Sequence, residues 1–348
     1  QSISDSCFVV VDGKSLHLTP LNICNIPPPM SLLQLNLSNV PDGVALKSSG
    51  HNCFKVAVVL PGAVEIYSVS LSAKRATCTF ELLKTFSIVD RLIQIQSCPE
   101  GFIATNLEGS EIFLFSESAD EMNKISLPEK CFRVLPNSGR IVLLDRTVHK
   151  VSDGILDFCA ALENIGDWIS FLELENVHLV MNEKGWLWAD ENLIMTQATS
   201  FAVIDQFILI TTHTHQLIFL PRGVESVPNW ESISRCALEG QTGNEEIQRR
   251  VERGALIVSA VPEASGVVLQ MPRGNLDTIN PRAMVLASLR QHLNALEYRA
   301  AYALCRRHRI DLNILHDHAP ELFIQTIGKF VKDLESVDHL NIFLSSLR

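Results

Sequence analysis

The 348-residue chain is 47% hydrophobic and 20% charged, and its 29 lysines and arginines against 39 aspartates and glutamates give a net charge of −10. This composition supplies a sizeable core and excludes an intrinsically disordered chain. No apolar run reaches the roughly 18 to 20 residues of a membrane-spanning helix. The chain starts at Gln1 without a basic and apolar leader, so we expect a soluble piece of a longer polypeptide, with no membrane partner.

The cysteines argue against a disulfide framework and against a zinc site. They are nine in number, scattered along the chain and never spaced as Cys-x-x-Cys. An odd, unpaired set of this kind is typical of free thiols in a reducing compartment.

Up to about Pro272, short bursts of Val, Ile, Leu and Phe alternate with Gly, Pro, Asn and Asp, a pattern that predicts strands. The bursts pair into seven hairpins, with centres roughly 30 to 50 residues apart, a repeat length typical of propeller blades. The predicted hairpins are Cys7–Thr19 around Asp12-Gly13-Lys14, Phe54–Val69 around Pro61-Gly62, Gly101–Phe115 around Glu108-Gly109, Arg140–Val151 around Asp145-Arg146, Val177–Trp188 around Asn182–Gly185, Phe207–Leu220 around His213-Thr214-His215, and Ala255–Met271 around Pro262-Glu263.

The seven repeated hairpins predict a β-propeller of about seven degenerate blades over residues 1–272, in which the hairpins are the central strands of each blade. A blade has two apolar faces, which it buries by stacking on its neighbours. The Trp-Asp and Gly-His dipeptides of the best-known propeller repeat do not recur here. A large β-sandwich is the alternative, but seven evenly spaced units are too many for one.

Residues 273–348 change to apolar spacings of three and four, which predict helices. Helix pairs repeating about every 38 residues indicate the start of a TPR-like α-solenoid, so the fold class is mainly β with an α tail. Four helices are predicted. The first begins at Pro281, with Asn280 as its N-cap, and the second extends from about Leu296 to Arg309. The third begins at Pro320, and the fourth begins at Ser336 or Asp338.

Fragments of catalytic and metal-binding motifs occur, but none is complete. Gly13-Lys14-Ser15 resembles the end of a phosphate-binding loop, yet Phe8 stands where the first glycine of that loop is required. The pair His213/His215 has no cysteine or carboxylate nearby in sequence and fits a turn equally well, whereas His316/His318 lies beside Asp317 in the predicted inter-helix loop Leu315–Pro320, where loop polarity explains it. We therefore predict no catalytic residue, no cofactor and no metal.

The stretch 273–309 carries seven arginines against Asp277 and Glu297. Arg306, Arg307 and Arg309 fall at the predicted end of the second helix. There they would complement the helix dipole, which is the favoured interpretation, or contact phosphate or an acidic surface.

Several motifs of the C-terminal third resemble the Elongator complex protein 1 (IKAP) family, the largest scaffold subunit of Elongator. The resemblance is specific over about residues 249–348, whereas Pro27-Pro28-Pro29-Met30 fits the second propeller of that family more weakly. The matching motifs are Val261-Pro262, Leu269–Asp277 (LQMPRGNLD), Pro281–Ala287 (PRAMVLA), Tyr298-Arg299-x-Ala301, Cys305–Asn313 (CRRHRIDLN), Asp317-His318, Pro320 and Ser336–Asn341 (SVDHLN).

The resemblance implies a non-catalytic scaffold within a complex that modifies wobble uridines of tRNA at carbon 5. Catalysis would reside in a separate radical-SAM and acetyltransferase-like subunit, a partner alongside the other Elongator subunits. The parent protein would be a homodimer through a C-terminal region outside this chain, and the whole complex, rather than mainly this part, would contact tRNA. The expected location is the cytoplasm, with the nucleus as a second compartment.

The segment between the last strand and the first helix is predicted to act as a structural joint, formed by Met271, Arg273, Gly274 and Leu276. Met271 and Leu276 would pack the propeller against the solenoid. Other functions stay open at this stage, because architecture does not fix function. They are a vesicle-coat or tethering subunit, an enzyme with a funnel site on the propeller axis, and direct RNA binding by residues 273–348.

Overall fold

A computed structural model describes residues 2–4, 7–50, 53–71, 78–116, 121–152, 154–161, 168–174, 177–190, 192–204, 207–221, 248–261 and 265–347. Within these residues the strands form seven antiparallel sheets, each built from strands consecutive in sequence. The first three sheets are β1 (Ser2–Ser4), β2 (Cys7–Asp12), β3 (Ser15–Pro20), β4 (Leu33–Asn36); β5 (Gly43–Gly50), β6 (Cys53–Leu60), β7 (Ala63–Leu71), β8 (Cys78–Ser87); and β9 (Leu92–Cys98), β10 (Gly101–Asn106), β11 (Glu111–Ser116), β12 (Asn123–Ser126).

The remaining sheets repeat this order, and the seventh has three described strands instead of four. They are β13 (Cys131–Val134), β14 (Arg140–Leu143), β15 (Thr147–Ser152), β16 (Ile155–Ala161); β17 (Trp168–Leu174), β18 (Val177–Asn182), β19 (Leu187–Ala189), β20 (Asn192–Met195); β21 (Ala198–Ile204), β22 (Phe207–Thr212), β23 (Gln216–Pro221), β24 (Gln248–Arg250); and β25 (Leu256–Val261), β26 (Gly266–Gln270), β27 (Leu276–Ile279).

The seven sheets form a closed β-propeller. Buried apolar clusters lie between successive sheets all the way around, since the second strand of each sheet carries apolar side chains on both faces. In β10, for example, all six residues are buried. The ring closes where Phe8 of β2 and Leu21, which follows β3, pack against Val261 and Val268 of the seventh sheet.

The turn between the second and third strands of every sheet contains one residue with a positive φ. Glycine adopts this conformation without steric cost. Glycine is needed at position 185 (φ 77°) for a second reason, because the Cβ of any other residue would lie 2.5 Å from the carbonyl oxygen of Ala198. The seven residues are Gly13, Gly62, Gly109, Arg146, Gly185, His215 and Gly274.

These turns lie at the same end of the ring as the connections that lead from one sheet into the next. Backbone hydrogen bonds join the two kinds of segment, and we call this end of the ring the turn face. The N–H of Cys131 donates to the carbonyl of Gly109 (2.7 Å), that of Ala198 to Gly185 (2.8 Å), and that of Val251 to His215 (2.9 Å).

Six of the predicted hairpins are the second and third strands of their sheets, as expected. The seventh, Ala255–Met271, corresponds instead to the first and second strands, and its turn at Pro262-Glu263 lies outside the described residues. The central hairpin of the last sheet is β26–β27, so the propeller continues to Ile279, beyond the boundary expected at Pro272. The four-residue strand β27 has a weak sequence signal because it contains Asp277 and lies between exposed residues.

Helices follow directly after β27. The N-terminus of the first differs from expectation, because Pro281 is the N-cap, and the Asn280 amide donates to the carbonyl of Ser265 (3.3 Å). The structure also differs from the prediction in two other places. The loop expected before Pro320 contains a short helix, and the third predicted helix is interrupted at Thr326. The helices are α1 (Arg282–Asn294), α2 (Tyr298–His308), α3 (Ile314–Asp317), α4 (Pro320–Gln325), α5 (Ile327–Leu334) and α6 (Val337–Ser346).

No helix in the described part of the chain is both long enough and apolar enough to span a bilayer.

Candidate functional site

The joint between the sheets and the helices is built on two buried methionines. Met271 (7% exposed) follows β26, and Met284 (4% exposed) lies in the first turn of α1. Both belong to one apolar cluster with residues of the sixth and seventh sheets, among them Phe219 and Leu269. Full burial of such a side chain contributes about 1.5–3 kcal/mol. The first helix therefore shares a core with the last two sheets.

A polar contact also holds the start of α1 against the ring. Asn280 donates its side-chain amide to the carbonyl of Ser265, the residue directly before β26. Gly266 leaves room for this amide, because a Cβ at that position would come within 3.2 Å of the Asn280 nitrogen. Sequence reasoning assigns Asn280 to helix capping, since nothing in the local pattern indicates a partner fifteen residues away.

The four residues predicted to form the joint lie in three different settings. Met271 is in the cluster shared with α1, and its N–H donates to Asn275 across the turn (2.8 Å). Arg273 and Gly274 are exposed in that turn, where Gly274 has a φ of 87°. Leu276 packs with the cluster that closes the ring, beside Val268, rather than with the cluster of Met284.

Asn25, which sequence reasoning does not single out, completes the ring closure. Its side-chain amide donates to the carbonyl of Leu276 (2.9 Å) and to the hydroxyl of Thr278 (3.1 Å) on the outer edge of β27. Asn25 lies in the proline-containing loop between β3 and β4, so this loop supports the last sheet, in which three strands are described.

The helices have an apolar core of their own, which includes a group of contacting aromatic rings. Tyr298 of α2 packs edge-on against Phe330 of α5 (5.4 Å between ring centroids), and Phe330 also contacts Phe343 of α6 (4.8 Å). The Tyr298 hydroxyl is within hydrogen-bond distance of the Thr326 hydroxyl (2.7 Å). This bond ties α2 to the break between α4 and α5.

Arg306, Arg307 and Arg309 lie together at the end of α2, and all three are exposed. Arg309 adopts a left-handed conformation (φ 53°) and its N–H donates to the carbonyl of Cys305. Positive charge at the carbonyl end of a helix is stabilising. Burial, and secondarily the charge of Arg307, lower the pKa of the neighbouring His308 below its usual range. Contact of these arginines with an anionic partner remains a prediction.

The remaining motifs have structural roles. Lys14 donates to the carbonyl of Ser38 (2.9 Å) from the first hairpin turn. His316 pairs with Asp317 (2.8 Å), and His318 is within hydrogen-bond distance of the Asn294 side chain (2.8 Å). Within the described ranges, His, Cys, Asp and Glu side chains do not form a group of three or more that could hold a metal ion.

A polar cluster around the buried His178, between the fourth and fifth sheets, also has no signal in the sequence. The His178 ring is almost fully buried, its Nδ1 lies 3.0 Å from the Asp190 carboxylate, and its Nε2 lies 3.4 Å from Arg140. These residues are 12 and 38 positions apart along the chain, so no local motif connects them.

Comparisons with known proteins give one family for both parts of the chain. The family model described as "ELP1 N-terminal second beta-propeller" matches residues 10–130 and 138–258, and that described as "ELP1 alpha-solenoid" matches residues 282–348. Elongator complex protein 1 of Schizosaccharomyces pombe is 31% identical over 97% of this chain and 28% of its own length.

The relative of the same name in Saccharomyces cerevisiae is 30% identical over 97% of this chain and 27% of its own length. That of Mus musculus is 38% identical over 50% of this chain and 13% of its own length. The chain thus spans less than a third of the relatives that it matches. With a closed propeller and the first solenoid helices both in place, the chain belongs to the Elongator complex protein 1 family.

Proposed function

We propose that this chain is a non-catalytic scaffold part of Elongator, the complex that places 5-carboxymethyl-type side chains on wobble uridines of tRNA. The proposal is based on one observation: Met284 of α1 packs in the same apolar core as residues of the sixth and seventh sheets. A helix held by a common core leaves the ring in a fixed direction, because protein interiors are packed as densely as crystals. Partners bound to the propeller and to the helices would thereby keep a constant distance.

The partners follow from the family. They are the other Elongator subunits, including the catalytic radical-SAM and acetyltransferase-like subunit, in the cytoplasm and also in the nucleus. The parent protein would form a homodimer through a C-terminal region outside this chain. In this proposal the whole complex contacts tRNA, and this chain holds its partners in place.

A vesicle-coat or tethering subunit is the alternative with the same architecture. The family match supports Elongator over this alternative. An enzyme with a site on the propeller axis is a further alternative, and it would require convergent polar groups on the axis; the names of the curated relatives mention no catalytic activity.

The test is purification of the tagged full-length protein from cells, with mass spectrometry of the copurifying proteins and of the tRNA wobble uridines. The proposal predicts Elongator subunits as the main partners. A Met284→Asp variant, which buries a carboxylate in the joint, should lose part of these subunits and lower the amount of modified uridine.

Met30→Asp is the matched control, because Met30 is 63% exposed in the loop before β4. It should retain the partners and the modified uridine. Coat or tethering proteins in place of Elongator subunits would contradict the proposal. So would normal assembly of the Met284→Asp variant, since the joint would then not position anything.

A further inference from the structure

We propose that the turn face of the fifth, sixth and seventh sheets binds single-stranded RNA. The side chains involved are cationic and aromatic, and together we call them the basic arc. Its members are Lys184, Trp186, His213, His215, Arg249, Arg250, Arg253 and Arg273.

Contacts between neighbouring turns make the arc continuous. A Cβ on Gly185, which lies between Lys184 and Trp186, would approach the His213 ring nitrogen to 3.5 Å. The carbonyl of His215 accepts a hydrogen bond from Val251 (2.9 Å), which follows Arg249 and Arg250. Gly254 abuts Pro272, because a Cβ there would lie 3.3 Å from the proline ring. The side chains of Arg253 and Arg273 therefore start from adjacent backbone.

The charge of the arc is opposite to that of the chain. Five lysines and arginines face two carboxylates from the same segments, Glu183 and Glu252, whereas the whole chain carries −10. All five cations are exposed, and none of them makes an ion pair within the described ranges. A concentration of positive charge on an acidic protein indicates an anionic partner at that surface.

Trp186 gives the arc a stacking surface. Its side chain is 39% exposed although tryptophan is an interior residue by preference. The Lys184 ammonium lies over the ring, 5.9 Å from its centroid, and the Trp188 ring lies beside it at 6.2 Å. An indole next to cations can stack an unpaired base while the cations contact its phosphates.

The exposed indole favours RNA over an acidic peptide. A peptide of glutamates and aspartates would satisfy the arginines but has no planar group for the Trp186 ring. Base stacking also requires an unpaired base, which favours a single strand over a duplex. The arginines at the end of α2 form a different surface, because there they lie at a helix terminus. The inference goes beyond the scaffold role, because it does not depend on which subunits the chain binds.

The experiment measures binding of a fluorescein-labelled oligo(U) RNA to the purified full-length protein by anisotropy, at several salt concentrations. Trp186→Ala should weaken binding roughly 5- to 140-fold, as loss of one stacked base does. Trp186→Phe, which retains an aromatic face, should recover most of that loss. Arg253→Gln with Arg273→Gln should reduce the slope of log affinity against log salt by about 1.4, since each phosphate contact contributes about 0.7.

Lys332→Gln, at an exposed lysine of α5 outside the basic arc, is the matched control, and it should leave the Trp186 dependence and the salt slope unchanged. Circular dichroism checks that each variant is folded. Affinity and slope that stay the same in the Trp186 and arginine variants would overturn the proposal. Equal weakening by Trp186→Phe and Trp186→Ala would also overturn it, as would displacement of the RNA by polyglutamate together with insensitivity to Trp186→Ala. These outcomes leave the scaffold role intact, because that role is read from copurifying subunits.

Discussion

Replacement of Met284 by alanine should destabilise the propeller as well as the helices. Met284 is 4% exposed in the cluster that α1 shares with the sixth and seventh sheets. Truncation of a buried methionine costs about 2–5 kcal/mol, including the cavity that remains. If the 348 residues unfold together, their unfolding entropy near 60 °C is about 0.7 kcal/mol/K, so the midpoint should fall by about 3–7 °C.

Two optical signals separate the two parts of the chain. Trp186 and Trp188 lie beside and within β19 and report on the sheets, whereas the described helices lie between residues 282 and 346 and dominate ellipticity at 222 nm. We expect Met284→Ala to shift both transitions by the same amount. The control Ile324→Ala removes a side chain that is 63% exposed, and it should change stability by less than about 0.5 kcal/mol. A helix transition that moves while tryptophan fluorescence does not would refute the shared core.

Three further variants test other features. Phe8→Ala should cost about 3–5 kcal/mol in urea unfolding because it opens the cluster that closes the ring, whereas Phe158→Ala, at a side chain 63% exposed, should be nearly neutral; equal effects would place the closure elsewhere. Gly185→Ala should lower the thermal midpoint more than Gly13→Ala, since both have positive φ but only Gly185 approaches another backbone, and a reversed order would contradict the turn geometry. Burial and the charge of Arg307 lower the pKa of His308 in the folded chain, so the unfolded chain binds a proton at this histidine more readily. The contribution of neutral His308 to the unfolding free energy is therefore present above about pH 6.5 and is lost as the pH falls through the folded pKa. His308→Gln should therefore lose less unfolding free energy than the unmodified chain between about pH 7 and about pH 5, and an unchanged pH profile would show that the ring is not buried in solution.

The repeating hairpins are predictable from sequence because they are local. Two strands and a short turn occupy about fifteen residues, and a glycine at the left-handed position marks five of the seven turns. Arg146 and His215 take the same conformation without glycine, and there the polar residues of the turn are the signal. The helices are predictable for the same reason, since their apolar spacing is a local pattern.

The contacts that join distant parts of the chain are not predictable in this way. Phe8 and Val268 pack together although some 260 residues separate them, and Asn25 supports β27 across 251 positions. Strand β27 itself is short and polar, so it resembles a linker until the edge of β26 is available to pair with it. Asn280 fits the pattern of a helix cap, yet a tertiary partner, Ser265, takes its amide.

The candidate functional residues also fall into two groups: those that a local sequence motif identifies and those that only the folded chain brings together. Met271 is identifiable from the motif that surrounds it, and its cluster contains Met284 of α1. The basic arc has no compact motif, because its members come from four separate segments that meet only when the turns of three sheets lie side by side. His178 and Asp190 belong to the same category, since strand pairing brings the buried His178 ring within hydrogen-bond distance of the half-exposed Asp190 carboxylate.

Native-state hydrogen exchange tests the central claim most directly, namely that ring and helices share one core at the joint. The amides of α1 and those of β26 should exchange through the same opening, with equal free energies and equal responses to Met284→Ala, because elements in one core open as one unit. Fast, independent exchange of α1 while β26 remains protected would show that the helices are only tethered to the propeller, and the scaffold proposal would lose its structural basis.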